Sequence, residues 1–286
     1  MTAATVRLAL QQAQTWGLAR IDAQMLLLHA LGRALHERAW LIAHDDELLP
    51  PALASAYAAL CERRLGGEPV AYLTGRKAFH GLELQVDARV LDPRPDTETL
   101  VDWALHLLRP LSAPQVADLG TGSGAVALAI KAQQPQAQLT AIDASSEALA
   151  VAEGNARRLG LPLRLRHGNW LEGCATLFDL IVSNPPYIAE GDAHLAALGH
   201  EPRMALVSGA DGLDAICQIT AQAPAHLKPG GWLLLEHGHD QAGQVQGLMQ
   251  ECGFTQVQSR KDLAGITRCT GGAIPLRPIT TATAVE

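Results

Sequence analysis

The chain has 286 residues, room for one large or two ordinary domains, and 48% hydrophobic against 18% charged residues indicates a well-buried globular protein. Its 22 basic and 29 acidic side chains leave a formal charge of −7, which argues against a duplex-coating protein that binds by neutralising phosphates. Five scattered cysteines (61, 174, 217, 252, 269) include no C-x-x-C pair, so neither a metal site nor a disulfide framework follows, and a reducing compartment fits best.

In chain order, the first 65 or so residues read as helical throughout. Val6 to Leu10 lead toward Trp16-Gly17, Ile21 to Leu31 ends at Gly32, and a third segment spans Leu35 to Ile42. A fourth runs from Pro51 to Leu65, with proline at its start and glycine just past its end. Gly66-Gly67 punctuates, and a hairpin-like piece follows, Lys77-Ala78-Phe79 and Leu82 to Val86 around His80-Gly81. After Pro93-Arg94-Pro95 a helix is expected from about Asp96 to Leu108. Strands then recur at 115–119, 138–143, 163–167, 178–183 and 231–237, alternating with helical segments in the rhythm of a parallel sheet. A final pair, 254–259 and 266–271, suits an antiparallel edge. The expected fold class is α/β, a doubly wound, mostly parallel sheet preceded by a small all-helical domain. The expected division is 1–72 as a helical substrate-recognition domain, 73–90 as a hairpin linker, 91–272 as the catalytic domain, and 273–286 as a mobile tail. The N-terminus shows no basic start leading into an apolar core, and no stretch approaches the roughly 20 apolar residues that cross a bilayer. A cytoplasmic monomer is expected, with no membrane and no direct nucleic-acid partner.

Two loops carry the chemistry. The run Phe178 to Ser183 reads as a buried strand and ends in Asn184-Pro185-Pro186-Tyr187. Two prolines fix φ and donate no N–H, so this turn offers carbonyl acceptors without competing donors. Asn184 adds an amide, and Tyr187 adds a flat aromatic face. Such a tip can grip a planar –NH2 by both hydrogens and leave its nitrogen free to react. Upstream, Val116 to Leu119 ends in Gly120-Thr121-Gly122-Ser123-Gly124, and Ala125 to Ile130 runs on at helical spacing. Strand, glycine loop and helix form the first unit of a nucleotide-binding sheet. The glycines let backbone approach a ligand, and the helix start supplies free N–H groups. The next strand ends at Asp143, where such folds place the carboxylate that holds ribose hydroxyls. The loop also satisfies a loose dinucleotide pattern, but the Asp118 carboxylate beside it would repel a pyrophosphate. It suits a ligand with an ammonium and a sulfonium. S-adenosylmethionine has both, and a ribose for Asp143.

Together these residues resemble the class I S-adenosylmethionine-dependent methyltransferases, and more closely the bacterial release-factor glutamine methyltransferases. The likeness runs through Gly67-Glu68-Pro69, Leu73-Thr74-Gly75, Pro93 to Glu98, the glycine loop, Asn184 to Tyr187 and Glu201-Pro202. It continues in Gly209 to Leu213, Leu235 to Gly238 and Lys261 to Gly265. What the resemblance implies is methyl transfer from S-adenosylmethionine to the side-chain nitrogen of the glutamine in the Gly-Gly-Gln loop of class 1 peptide chain release factors, its partners. It implies that Gly120, Thr121, Gly122, Ser123, Gly124, Asp143, Trp170 and Asn184 contact the cofactor, with Trp170 over the adenine face. By the same resemblance, Asn184 to Tyr187 hold the glutamine, with Asn184, Pro185 and Tyr187 as the catalytic group and no metal required. Thr97 and Glu98 would line the cofactor's amino-acid end. Asp92 and His200 depart from the family pattern, and Asp92 is expected to alter the wall beside the methionine portion. Relatives that methylate a ribosomal-protein glutamine share the Asn-Pro-Pro-Tyr turn but tend to lack the Pro-Asp-Thr at 95–97, Trp170 and the run 262–265. An adenine N6-methyltransferase is a further alternative, since adenine presents a similar –NH2.

Overall fold

Proline at the first helical position costs no hydrogen bond, and glycine, a poor helix former, suits the position just past the end. The helix between them spans Pro51–Leu65, the same bounds the sequence predicts. It is the fourth (α4) in a computed structural model that describes residues 4–276. Before it come α1 (Val6–Thr15), α2 (Arg20–Ala30) and α3 (Arg38–Ala43), the last starting later than the expected Leu35. Thr5 caps α1, its hydroxyl accepting from the Leu8 N–H at 3.3 Å. Leu26, Leu27, Leu28, Leu41, Tyr57 and Cys61 fill a core of their own beneath these helices. A short α5 (Val70–Thr74) follows Pro69 and is not predicted, because five residues are too few to show a helical period. It is a seam: Leu73 belongs to the helical core, whereas Ala71 belongs to the core of the next layer. The hairpin β1 (Arg76–Phe79) and β2 (Leu82–Gln85) pairs antiparallel, as expected.

The remainder alternates strand and helix. After α6 (Glu98–Leu108) come β3 (Gln115–Leu119), α7 (Ala125–Gln133), β4 (Gln138–Asp143), α8 (Ser146–Leu159) and β5 (Arg164–His167). Then follow β6 (Phe178–Ser183), α9 (Asp214–Gln222), β7 (Leu227–Glu236), α10 (Ala242–Glu251), β8 (Thr255–Lys261) and β9 (Thr267–Ala273). The predicted bounds of β3, β4 and β6 match residue for residue. Strand β7 starts earlier than expected, at a register shift between Phe178 and Leu180 of its neighbour. The seven strands lie in the order β5-β4-β3-β6-β7-β9-β8, parallel from β5 to β7 and antiparallel at β9 and β8. Apolar residues on the two faces form two separate cores, one under α6 and α7 and one under α9 and α10. Ala273 still pairs with Trp232, so the last strand passes the expected boundary at 272. The expected tail lies outside the described residues from 277 onward.

This order places the site. The chain leaves β3 toward β4 on one side, whereas β6 returns to the other side of β3. Open α/β sheets form a crevice at the carboxyl ends of strands where the winding reverses in this way. The two loops singled out by sequence hang from these two neighbouring strands. Leu119 and Ser183 are register partners, and the Ser183 hydroxyl donates to the Leu119 carbonyl at 2.7 Å, tying the strand ends together.

Candidate active site

A cavity of about 260 Å³ opens at this reversal. Gly120, Thr121, Gly122, Ser123, Asp143, Trp170, Asn184 and Pro186 line it, together with Asp118 and Thr97. The structure therefore gathers eight of the eleven sequence-predicted site residues around one space. Gly124, Pro185 and Tyr187 stand behind its wall. Gly124 starts α7 with φ of 81°, and an added Cβ would lie 3.1 Å from Leu128 Cδ1 and 3.3 Å from Ala152 Cβ, so it serves close packing. Gly122 is different: at φ 56° a Cβ would meet nothing within 4 Å, and the space beside it belongs to the cavity.

Each wall has a local cause. Asp143 ends β4 and is held by backbone donors: the Gly122 N–H reaches Oδ2 at 2.9 Å and the Ser145 N–H reaches Oδ1 at 2.9 Å. It thereby fixes the glycine loop while facing the cavity. Trp170, at an uncommon φ of 51°, donates from Nε1 to Gln218 Oε1 at 3.0 Å. Its ring edge lies 3.4 Å from where a Gly120 Cβ would stand, so glycine there makes room for the indole. Asn155, which the sequence reading does not single out, is fully buried on α8. It donates to the Gln85 and Ser123 carbonyls at 2.9 and 3.0 Å, tying the hairpin to the glycine loop.

Asp118 is 1% exposed, and burial pushes its pKa up to about 7, against the hydrogen bonds from Thr121 and from the Ala127 N–H. The side chain read from sequence as a carboxylate is thus a group that an arriving cation would favour in its ionised form, its proton passing to water. Glu236, at the end of β7, is equally buried and also pushed up by desolvation to about 7. Both hold protons in the native state that the unfolded chain releases from about pH 4 upward. Stability is therefore expected to fall as pH rises from about 4 to 7 and to level above, by at most about 1.4 kcal/mol per pH unit per group. In urea titrations Asp118→Asn should gain on the parent protein across that window and no further above it. A gap independent of pH would contradict the assignment.

At the second loop, Asn184 is half-buried. Its Nδ2 donates to Thr97 Oγ1 at 3.1 Å. Among the described residues nothing donates to Asn184 Oδ1 or to the Pro185 carbonyl. Two acceptors thus stand free on one rigid turn. Tyr187 fixes that turn from behind: its carbonyl accepts from Gln241 Nε2 at 3.1 Å and its hydroxyl donates to Glu236 Oε1 at 3.4 Å. Gly212, at φ 81°, passes so close that a Cβ would lie 2.3 Å from the Tyr187 carbonyl oxygen.

Two expectations are corrected, and the departure at His200 finds its partner. Glu98 does not face the cavity; its Oε1 accepts from the His80 N–H at 2.8 Å. Asp92 does not form the wall, although Leu91 and Pro93 on either side of it do. It turns inward to Lys77 at 2.9 Å, in a buried ion cluster completed by Arg94 and Glu201. His200 reaches back to the Gly66 carbonyl at 3.0 Å, joining the segment before Glu201 to the end of α4. Alternating charge in sequence does not reveal such pairings between distant segments.

Comparison with known proteins agrees with this geometry. Residues 4–75 match the family model of the PrmC N-terminal domain, and residues 101–210 that of the methyltransferase small domain. A release factor glutamine methyltransferase of Bordetella pertussis is 52% identical over 260 residues, covering 90% of this chain and 95% of that one. The chain belongs to the release factor glutamine methyltransferases. A second member, from Xylella fastidiosa, is 50% identical over 272 residues, covering 94% of this chain and 98% of its own. Among solved structures, a T. thermophilus 16S rRNA N2 G1207 methyltransferase in complex with AdoMet and guanosine superposes with a TM-score of 0.53 at 21% identity. It covers 70% of this chain and 49% of the other, and it shows a shared fold. The family's Asn-Pro-Pro-Tyr turn is the one found here at the reversal of the sheet. No helix among the described residues is long and apolar enough to cross a membrane, and all five cysteines are free.

Proposed function

We propose that this protein transfers a methyl group from S-adenosylmethionine to the side-chain amide nitrogen of the glutamine in the Gly-Gly-Gln motif of class 1 peptide chain release factors. One observation carries the reading: two free acceptors, Asn184 Oδ1 and the Pro185 carbonyl, stand on the turn that follows β6, the strand next to the one that carries the glycine loop. The cavity fits the cofactor. Its open floor at Gly122, the carboxylate at Asp143, the indole at Trp170 and a proton-releasing Asp118 answer to backbone approach, ribose, adenine and positive charge in turn. When bound, the cofactor supplies a methyl group activated by a sulfonium.

The chain's own residues do the rest. An amide nitrogen is a poor nucleophile because its lone pair is spread into the carbonyl. With one amide hydrogen accepted by Asn184 Oδ1 and the other by the Pro185 carbonyl, the nitrogen is held along one line toward the methyl carbon. Fixed acceptors also stabilise the positive charge that grows on nitrogen as the N–C bond forms and the C–S bond breaks. The freed proton passes to water. Residues 1–72 serve as the recognition domain for the release factor, 73–90 as the linker and 91–272 as the catalytic domain, acting as a monomer in the cytoplasm.

The deciding experiment incubates purified release factor with enzyme and S-adenosylmethionine and maps the product by mass spectrometry. The expected result is the mass of one CH2 on one glutamine, with ribosomal protein, DNA and RNA unmodified in parallel. Methyl transfer to any of those and not to release factor would overturn the proposal. Asp143→Ala is expected to weaken cofactor binding roughly 10–100-fold, the loss of one or two hydrogen bonds to a charged acceptor. Calorimetry with unchanged affinity would remove Asp143 from the site.

A further inference from the structure

The run Asp262-Leu263-Ala264-Gly265 stands out in the sequence, yet none of it lines the cavity. It forms the turn between β8 and β9. Strand register places that turn. Cys269, near the start of β9, pairs with Glu236, the last residue of β7, and β7 in turn pairs Leu235 with Ser183 at the end of β6. The β8–β9 tip therefore rises from the carboxyl edge of the sheet, the edge that also carries the Asn184–Tyr187 turn. Strands follow in the order β6-β7-β9-β8, at about 4.8 Å each, so the tip stands roughly 10–14 Å to the side of the end of β6.

The tip is stiff and its crown is apolar. The Asp262 carboxylate accepts the Ala264 and Ile266 N–H groups, both at 2.9 Å, and Arg268 Nε at 3.2 Å. The Asp262 N–H donates to the Ile266 carbonyl at 2.8 Å, and the Gly265 N–H to the Asp262 carbonyl at 3.0 Å. Arg268 also pairs with Asp96 at 3.1 Å, next to the Thr97 that lines the cavity. These bonds fix the chain on either side of Leu263, which is fully exposed, with Ile266 exposed beyond it. A lone exposed leucine is ordinary. One held out on a pre-formed turn loses little freedom when a partner covers it. Its place also matters: among the described residues, the exposed large apolar side chains on this edge are Leu263, Ile266 and Met204, and Met204 lines the cavity itself.

The occupant follows from the size of the substrate. A protein whose glutamine loop enters at Asn184 must rest its own surface on the edge around the mouth. A specific protein interface takes about 800 Å² from each partner, a disc of radius about 16 Å. Centred on the Asn184–Tyr187 turn, that disc covers the β8–β9 tip. We propose that this tip, with Leu263 as its anchor, is a docking point for the body of the release factor beside its Gly-Gly-Gln loop, where an apolar pocket receives the leucine. The proposal rests on release factor as the substrate, and names where the rest of that protein sits.

The test measures binding and turnover apart. Leu263→Ser is expected to raise the Kd for release factor, read by calorimetry with demethylated cofactor present, about tenfold. The melting temperature should not move, because the side chain packs on nothing in the free protein. The Kd for S-adenosylmethionine, and kcat at saturating release factor, should both hold within about twofold, since the leucine touches no reacting atom. Leu263→Met should bind release factor as the parent does. Leu177→Ser, at an exposed leucine just before β6 on the opposite edge, should leave that binding unchanged. An unchanged Kd for release factor in Leu263→Ser would overturn the proposal, as would an equal loss in Leu177→Ser. So would a parent protein that sediments as a dimer and that Leu263→Ser turns into a monomer, which would give the patch to a second copy of the chain. If the parent enzyme leaves release factor unmethylated, the proposed function falls. The calorimetry still decides the docking in that case, and an absence of binding to the parent would overturn it.

Discussion

Asn184→Ala is expected to lower the rate of methyl transfer roughly 10²–10³-fold, the usual cost of losing one preorganised polar group aimed at developing charge. The expectation follows from geometry rather than from burial. Asn184 is half-buried and its oxygen meets no donor among the described residues, so little folding energy depends on it. The same variant should bind S-adenosylmethionine with only modest loss, because the cavity is walled chiefly by the loop after β3 and by Asp143 and Trp170. Single-turnover kinetics with release factor, set beside calorimetry with cofactor alone, separate the two. Turnover near that of the parent enzyme would refute the role of the turn.

Glu201→Ala should be the costliest of the changes considered for folding. Its side chain is 2% exposed, its Oε1 meets Arg94 and its Oε2 accepts the Asp92 N–H at 3.1 Å. Removing it strands a guanidinium and a backbone donor together. A fully buried pair broken on one side costs about 3–5 kcal/mol. Arg94 is 36% exposed and can recover water, so a loss of about 1–3 kcal/mol is expected here. The damage should reach the site, because Pro202, Met204 and Ala205, just after Glu201, line the cavity. Urea unfolding should show a lower midpoint, and cofactor affinity should fall with it. An exposed pair such as Glu153–Arg157, at 3.5 Å on α8, provides the contrast: its loss should change stability by no more than a few tenths of a kcal/mol. Equal effects at the two places would contradict the importance given to burial.

How far these features were legible in the sequence follows a physical line. Local signals were reliable where a single segment carries its own instruction. Pro51 and Gly66 bound a helix, the runs at 115–119, 138–143 and 178–183 are strands to the residue, and the two loops announce themselves by glycine and proline. The reversal of winding that makes those loops neighbours was implied by fold class, and the strand order delivers it. What stayed hidden depends on partners far apart in the chain. Nothing in Leu235-Glu236-His237 shows that a strand-end carboxyl will take the Tyr187 hydroxyl, or that Asp92 will meet Lys77 and leave its expected place at the wall. Gly124 looked like its neighbours in the loop, yet its job is to let α7 pack on α8. Such roles are set by three-dimensional neighbours, which a one-dimensional pattern does not list.

Because Leu119 and Ser183 sit side by side in one ladder, the span from one loop root to the other equals the pitch between hydrogen-bonded strands, about 4.8 Å. That pitch is a backbone constant, insensitive to which side chains decorate the sheet. It works as a built-in ruler: the roots from which the two loops reach out are held one strand spacing apart by the sheet itself. Substitutions elsewhere can change what is admitted, while the gauge across which the atoms must pass stays the same.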